Sequence, residues 1–128
     1  MIWSRTHDKL IAEKSKGLPR DWIERNGEIY HATGYGAGMS PEVFTPISGP
    51  LPRYNENLAL IVHIAELWIN DKPESRWMTT DFYPNQSPKY SVAIWEFIPS
   101  SDPPTVTCTG QANTLSAALA EALYQAIQ

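Results

Sequence analysis

Apolar and polar positions change their spacing along the chain, and those changes divide it into elements. Leu10 and Ile11 fall on one face of a stretch that begins at Thr6, a residue suited to an N-cap, and stops at Gly17 and Pro19. This predicts a short amphipathic helix over Thr6–Lys16. After Trp22 and Ile23, the turn dipeptide Asn26-Gly27 precedes Glu28–Ala32, which carries β-favouring residues and reads as a hairpin feeding a strand. From Gly34 to Pro52 the pattern breaks down. Gly34, Gly36 and Gly38 followed by Pro41, Pro46, Pro50 and Pro52 leave room for only a brief strand, Glu42–Thr45, in what is expected to be the main loop.

Regularity returns at a second helix, Glu56–Asn70, capped by Asn55 or its neighbour. Only His63, Glu66 and Asn70 interrupt its apolar positions, so polarity is confined to one narrow stripe and deep packing is expected. Three strands follow, Trp77–Tyr83, Tyr90–Ile98 and Thr105–Gly110, separated by proline-rich connections and read as an antiparallel meander. In the middle strand Val92, Ile94 and Ile98 point one way and Ala93, Trp95 and Phe97 the other, which predicts burial on both faces. The threonines 105, 107 and 109 give the next strand one polar face, as near an edge. Thr114 then caps an alanine-rich helix, Leu115–Ile127, with Leu119, Ala122, Leu123 and Ala126 inward. Helices around a mostly antiparallel sheet predict an α+β chain, arranged as a three-layer α/β/α sandwich.

Composition narrows this picture. At 128 residues the chain has room for one domain, 1–128, with the Gly/Pro-rich loop at about 33–53. Eleven prolines and five tryptophans predict rigid connections and bulky aromatic packing. A net charge of −4 opposes a broad duplex nucleic-acid footprint while leaving a local basic pocket open. Cys108, the only cysteine, excludes an intrachain disulfide and fits a reducing compartment. The first ten residues carry charges where a signal peptide needs an apolar run, and no tract reaches the length of a membrane span, so no membrane partner is expected.

Three blocks together resemble a known family. They are Leu10-Ile-Ala-Glu-Lys-Ser-Lys-Gly17, Pro52-Arg-Tyr-Asn-Glu-Asn-Leu-Ala-Leu-Ile-Val-His-Ile-Ala-Glu66 and Ala112-Asn-Thr-Leu-Ser-Ala-Ala-Leu-Ala-Glu-Ala-Leu123. Their order and rough spacing are similar to the phage ABA (alpha/beta/alpha) sandwich domain family. The resemblance covers about a quarter of the chain and is carried by framework positions, with no catalytic motif among them. It implies a small phage or prophage protein acting in the host bacterial cytoplasm, where such proteins commonly bind a host protein or a host signal molecule. The Gly34–Pro52 segment is longer and richer in glycine and proline than the family pattern.

Candidate chemistry is sparse. Gly34-x-Gly36-x-Gly38 can cradle a phosphate through backbone N–H groups, but it lacks a P-loop ending and Pro41 opposes a following helix, so a surface loop is the favoured reading. His63 and Glu66, one helical turn apart, supply two ligands where a metal needs three or four, and read as the solvated stripe of their helix. His7 and Asp8 read as capping and helix-dipole groups, leaving His31 as the histidine to test. Cys108 sits in no redox or protease signature and reads as a buried small hydrophobe. No Gly-x-Ser-x-Gly elbow occurs.

The aromatics are the richer resource. Trp95 and Phe97 are assigned to the core. Tyr30, His31, Gly34, Tyr35, Gly36, Gly38, Arg53, Tyr54, Arg76 and Trp77 form the candidate ligand-binding set, in which rings stack on a base and arginines pair a phosphate. The leading expectation is therefore a non-enzymatic binding protein without cofactor or metal, a host-defence antagonist that sequesters a nucleotide-type immune signal, with a homo-oligomeric interface as one use of exposed Trp and Tyr. The alternatives are a protein-protein inhibitor of a bacterial host enzyme, gripping it through the Gly34–Pro52 loop, and a small hydrolase or nucleotide-modifying enzyme using His31 or His63.

Overall fold

The computed structural model of the chain describes residues 1–18, 22–33 and 43–128. Among these residues ten elements follow one another: α1 (Arg5–Lys16), β1 (Trp22–Arg25), β2 (Glu28–Thr33), β3 (Val43–Pro50), a 3₁₀ turn (Tyr54–Glu56), α2 (Leu58–Asp71), β4 (Arg76–Phe82), β5 (Tyr90–Phe97), β6 (Thr105–Ala112) and α3 (Leu115–Ile127). The class is α+β. In place of one sheet there are two, each of three antiparallel strands, in the orders β1-β2-β3 and β4-β5-β6.

The helix ends follow local chemistry. Ser4 rather than Thr6 caps α1, because His7 closes a capping box: its Nδ1 accepts from Ser4 N at 3.0 Å. Gly17 ends the helix at φ 63°, a left-handed conformation that glycine adopts without steric cost. Asn57 caps α2 by accepting from Leu60 N at 3.1 Å, which moves the helix start to Leu58 and leaves residues 54–56 to the 3₁₀ turn. Thr114 caps α3 by accepting from Ala117 N at 3.2 Å.

β3 corrects the expectation of a loop through Pro52. It runs as a strand from Val43 to Pro50 in spite of Pro46 and Pro50, because it lies at the edge of its sheet and its pairing is bulged. Glu28, Ile29 and Tyr30 face Pro50, Ser48 and Pro46, so β3 advances two residues for each one of β2. Edges and bulges are the places where a strand tolerates a missing N–H donor.

The core joins all three helices to both sheets. Ile11 and Ala12 of α1, Trp22 and Ile29 of the first sheet, Ile61, Ile64 and Ala65 of α2, Val92 and Ile94 of β5, and a run of α3 from Ala118 to Leu123 are buried together. Gly110 sets how closely α3 approaches β6. A Cβ there would collide with Ala118 O and lie 2.7 Å from Ala122 N, both backbone atoms of α3. α3 thus covers one face of β5 and β6, and the expected burial of both faces of β5 is corrected. Val92 and Ile94 point at α3, whereas Phe97 on the opposite face is 45% exposed and Trp95 is half-buried.

At the junction of α1 and the 3₁₀ turn, Asp8 is the buried charge of the core. It accepts from Trp3 Nε1 at 2.9 Å, Arg5 Nη1 at 2.7 Å and Tyr54 N at 3.0 Å. Arg5 continues to the carbonyl oxygens of Leu51 and Pro52. Three donors on one carboxylate and the half-exposed guanidinium together offset the cost of burying the charge. None of the described helices is long and apolar enough to cross a membrane.

Candidate functional site

The expected cluster of rings and arginines does not converge among the described residues. Arg76 and Trp77 are adjacent in β4 and therefore point to opposite faces of the sheet. Arg76 is fully engaged: its guanidinium lies 3.7 Å over the Trp68 ring, Nη1 donates to Trp68 O at 2.7 Å, Nε is paired with the Glu96 carboxylate, and Asp71 Oδ2 lies 3.8 Å away. On the other face Trp77 packs against Trp95, with near-parallel rings 6.0 Å apart, and Trp95 Nε1 donates to Thr79 Oγ1 at 3.3 Å.

Tyr54 is completely buried, so it belongs to the framework rather than to a ligand surface. Among the described residues its hydroxyl makes no hydrogen bond of ordinary geometry. Burial pushes the phenol above its ordinary pKa, and the Asp8 charge adds to that, against the opposing influence of Ser15 and Arg5. Arg53 is exposed at the head of the 3₁₀ turn. Tyr30 is half-buried in β2, and the backbone of His31 sits between Trp22 of β1 and Thr45 of β3. Gly34, Tyr35, Gly36 and Gly38 lie outside the described residues.

The remaining titratable candidates are accounted for locally. The His7 ring stacks on Trp3 with centroids 5.0 Å apart and meets Tyr124 edge-on, in keeping with its capping role. His63 and Glu66 are exposed on α2. Cys108 is half-buried rather than buried, and burial together with the Glu96 charge pushes its thiol up, so it is a poor nucleophile near neutral pH. No three His, Cys, Asp or Glu side chains among the described residues come together as a metal site.

What the described structure does contain is a cavity of about 340 Å³ between the three helices. It is lined by Lys14 and Ser15 from the end of α1, by Ile64, Leu67, Trp68 and Asp71 from α2, and by Ile127 from α3. Sequence reasoning missed it. α2 was expected to be covered nearly all round, yet Leu67 is 54% exposed: Ile61, Ile64 and Ala65 are buried, and Leu60, Val62 and Trp68 are only partly covered against the core. The signal was available in the same pattern: a helix with apolar residues over most of its circumference, in a chain this small, exceeds what its neighbours can cover.

The wall of the cavity is an ordered one. Trp68 is fixed by Arg76, which bonds its carbonyl and lies over its ring. Ser15 donates to Ile11 O at 2.7 Å. Lys14 and Asp71 place one charge of each sign at the rim, both on exposed residues. The arrangement combines an apolar floor, one flat aromatic ring and a few polar groups, the make-up of a small-molecule site.

No family model matches the chain, and neither the curated proteins nor the solved structures compared with it give a match. The functional reading therefore stands on the geometry.

Proposed function

We propose that the protein is a non-enzymatic binding protein that holds a small nucleotide-type ligand in the cavity between α1, α2 and α3. The observation that carries this is Trp68, a flat ring held in place by Arg76 at the wall of a cavity that Ile64, Leu67 and Ile127 line together with Lys14, Ser15 and Asp71. A base or similar flat ring stacks on such a surface, a contact worth about 1–3 kcal/mol per base. The Lys14 ammonium is placed to meet an anionic group such as a phosphate, and the Asp71 carboxylate to accept from a ribose hydroxyl or an exocyclic amine. A volume near the lower end of the range for ligand pockets, about 300–1,000 Å³, suits a mononucleotide-sized body.

In the setting that the phage resemblance implies, such binding amounts to sequestration of a host immune signal. The test is a search for a small molecule carried through purification, by native mass spectrometry, with titration against mononucleotides, ADP-ribose derivatives and cyclic oligonucleotides. A retained or titrating ligand that is lost in Lys14→Glu supports the reading. No bound species and no heat across the panel would overturn it.

A further inference from the structure

We infer that a second copy of this chain pairs with the free edge of β4, so that two sheets join across a two-fold axis at Thr79. Among the described residues the two sheets have four unpaired edges, and these are not alike. β1 is four residues long, and β3 carries two prolines and a bulged register, both devices that discourage further pairing. On β6 one main-chain carbonyl, Thr109 O, is already taken by Gln125 Nε2 of α3 at 2.8 Å. β4 has none of these protections. It runs for seven residues in unbroken register with β5, without proline or lysine, and every residue from Trp77 to Phe82 is exposed. Large apolar side chains crowd this edge: Trp77, Met78, Phe82 and Tyr83 are between 37% and 55% exposed.

The strand is complementary to itself, which is why a second copy is the occupant. Full antiparallel overlap of Arg76–Phe82 with its own copy puts Thr79 opposite the partner's Thr79, Met78 opposite the partner's Thr80, and Trp77 opposite the partner's Asp81. No like charges face each other. Among the described residues neither Trp77 Nε1 nor the Asp81 carboxylate has a hydrogen-bond partner, and across the axis each supplies what the other lacks, twice over. Facing residues of an antiparallel pair have Cβ atoms about 4.5–5.5 Å apart, within reach of an indole N–H and a carboxylate. The result is a six-stranded sheet with both Trp77–Trp95 pairs on one face and Met78 and Phe82 of both copies gathered on the other. The inference is independent of the ligand cavity, which lies between the helices.

Sedimentation equilibrium of the full chain is expected to give twice the 14.4 kDa chain mass. Thr79→Lys, which sets two ammonium groups on the axis, is expected to weaken association by about tenfold or more. Thr79→Cys in a Cys108→Ala background is expected to join two chains through a short bis-maleimide, while Thr107→Cys on β6 in the same background is not. The cysteine pair decides the matter if Thr79→Lys fails to fold. A monomer at the highest soluble concentration, a dimer unaffected by a folded Thr79→Lys, or a dimer without cross-linking at position 79 overturns the inference.

Discussion

The Arg76 guanidinium lies 3.7 Å over the ring of Trp68, eight residues earlier in the chain, and bonds the Trp68 carbonyl as well. One side chain of β4 thereby fixes both the ring and the backbone at the end of α2, where the cavity wall is built. Removing it takes away a cation over an indole and leaves Glu96 without its partner. Arg76→Ala is expected to cost roughly 2 kcal/mol in urea unfolding and to shift the Trp68 contribution to fluorescence, with Arg76→Lys recovering only part, because an ammonium lacks the planar fork.

Asp8 tests how the core tolerates its buried charge. Its carboxylate receives Trp3, Arg5 and the Tyr54 backbone. Asp8→Ala leaves the Tyr54 N–H without a partner and should destabilise by about 3 kcal/mol, measured as a lower denaturant midpoint. A loss below about 1 kcal/mol would contradict the network's role.

Gly110 reports on the contact of α3 with β6. Because a Cβ would meet the α3 backbone rather than a flexible side chain, Gly110→Ala forces the helix outward. A loss of about 2–3 kcal/mol is expected. Gly49→Ala, where nothing lies in the way of a Cβ, is the control and should remain near wild type.

Tyr54 gives stability an alkaline limit. Its folded pKa is raised above the unfolded value of 10.0, so the folded state holds the proton more tightly. Its contribution is fully present below pH 10 and is lost as pH rises through the folded pKa. Tyr54→Phe is expected to flatten the fall in stability above pH 10. At pH 7 it should be near neutral, since the hydroxyl it removes is buried and makes no ordinary hydrogen bond among the described residues.

Much of the fold was legible because local signals agreed with one another. α3 runs from Leu115 to Ile127 behind its Thr114 cap, as read from an alanine-rich stripe, and the turn at Asn26-Gly27 joins β1 to β2 as its dipeptide demands. The meander of β4, β5 and β6 followed from alternation bounded by prolines. Of β3 only the start was legible, as the brief strand expected at Glu42–Thr45; its continuation to Pro50 was not, since its prolines are accommodated by a bulged pairing with β2, a tertiary circumstance. The exposure of Phe97 was hidden for a similar reason: alternation shows that a strand has two apolar faces, not whether a second layer is there to cover both.

The candidate site was less legible than the fold. Arg76 was singled out for a ligand but serves Trp68, and Tyr54 was singled out for stacking but is sealed in the core. Adjacent strand positions cannot share a face, which separates Arg76 from Trp77. Lys14, Trp68 and Asp71 come from two helices, and their convergence depends on how α1 and α2 lie against α3.

The proposed binding of a nucleotide-type ligand in the helical cavity rests on Trp68 and Lys14. Isothermal titration of the wild-type protein and of Lys14→Glu with the best ligand of the panel tests it most directly, because Lys14 is exposed and its replacement leaves the core intact. One site per chain is expected, weakened by about tenfold or more when the rim charge is reversed. Binding of equal strength in both proteins, or none in either, would contradict it.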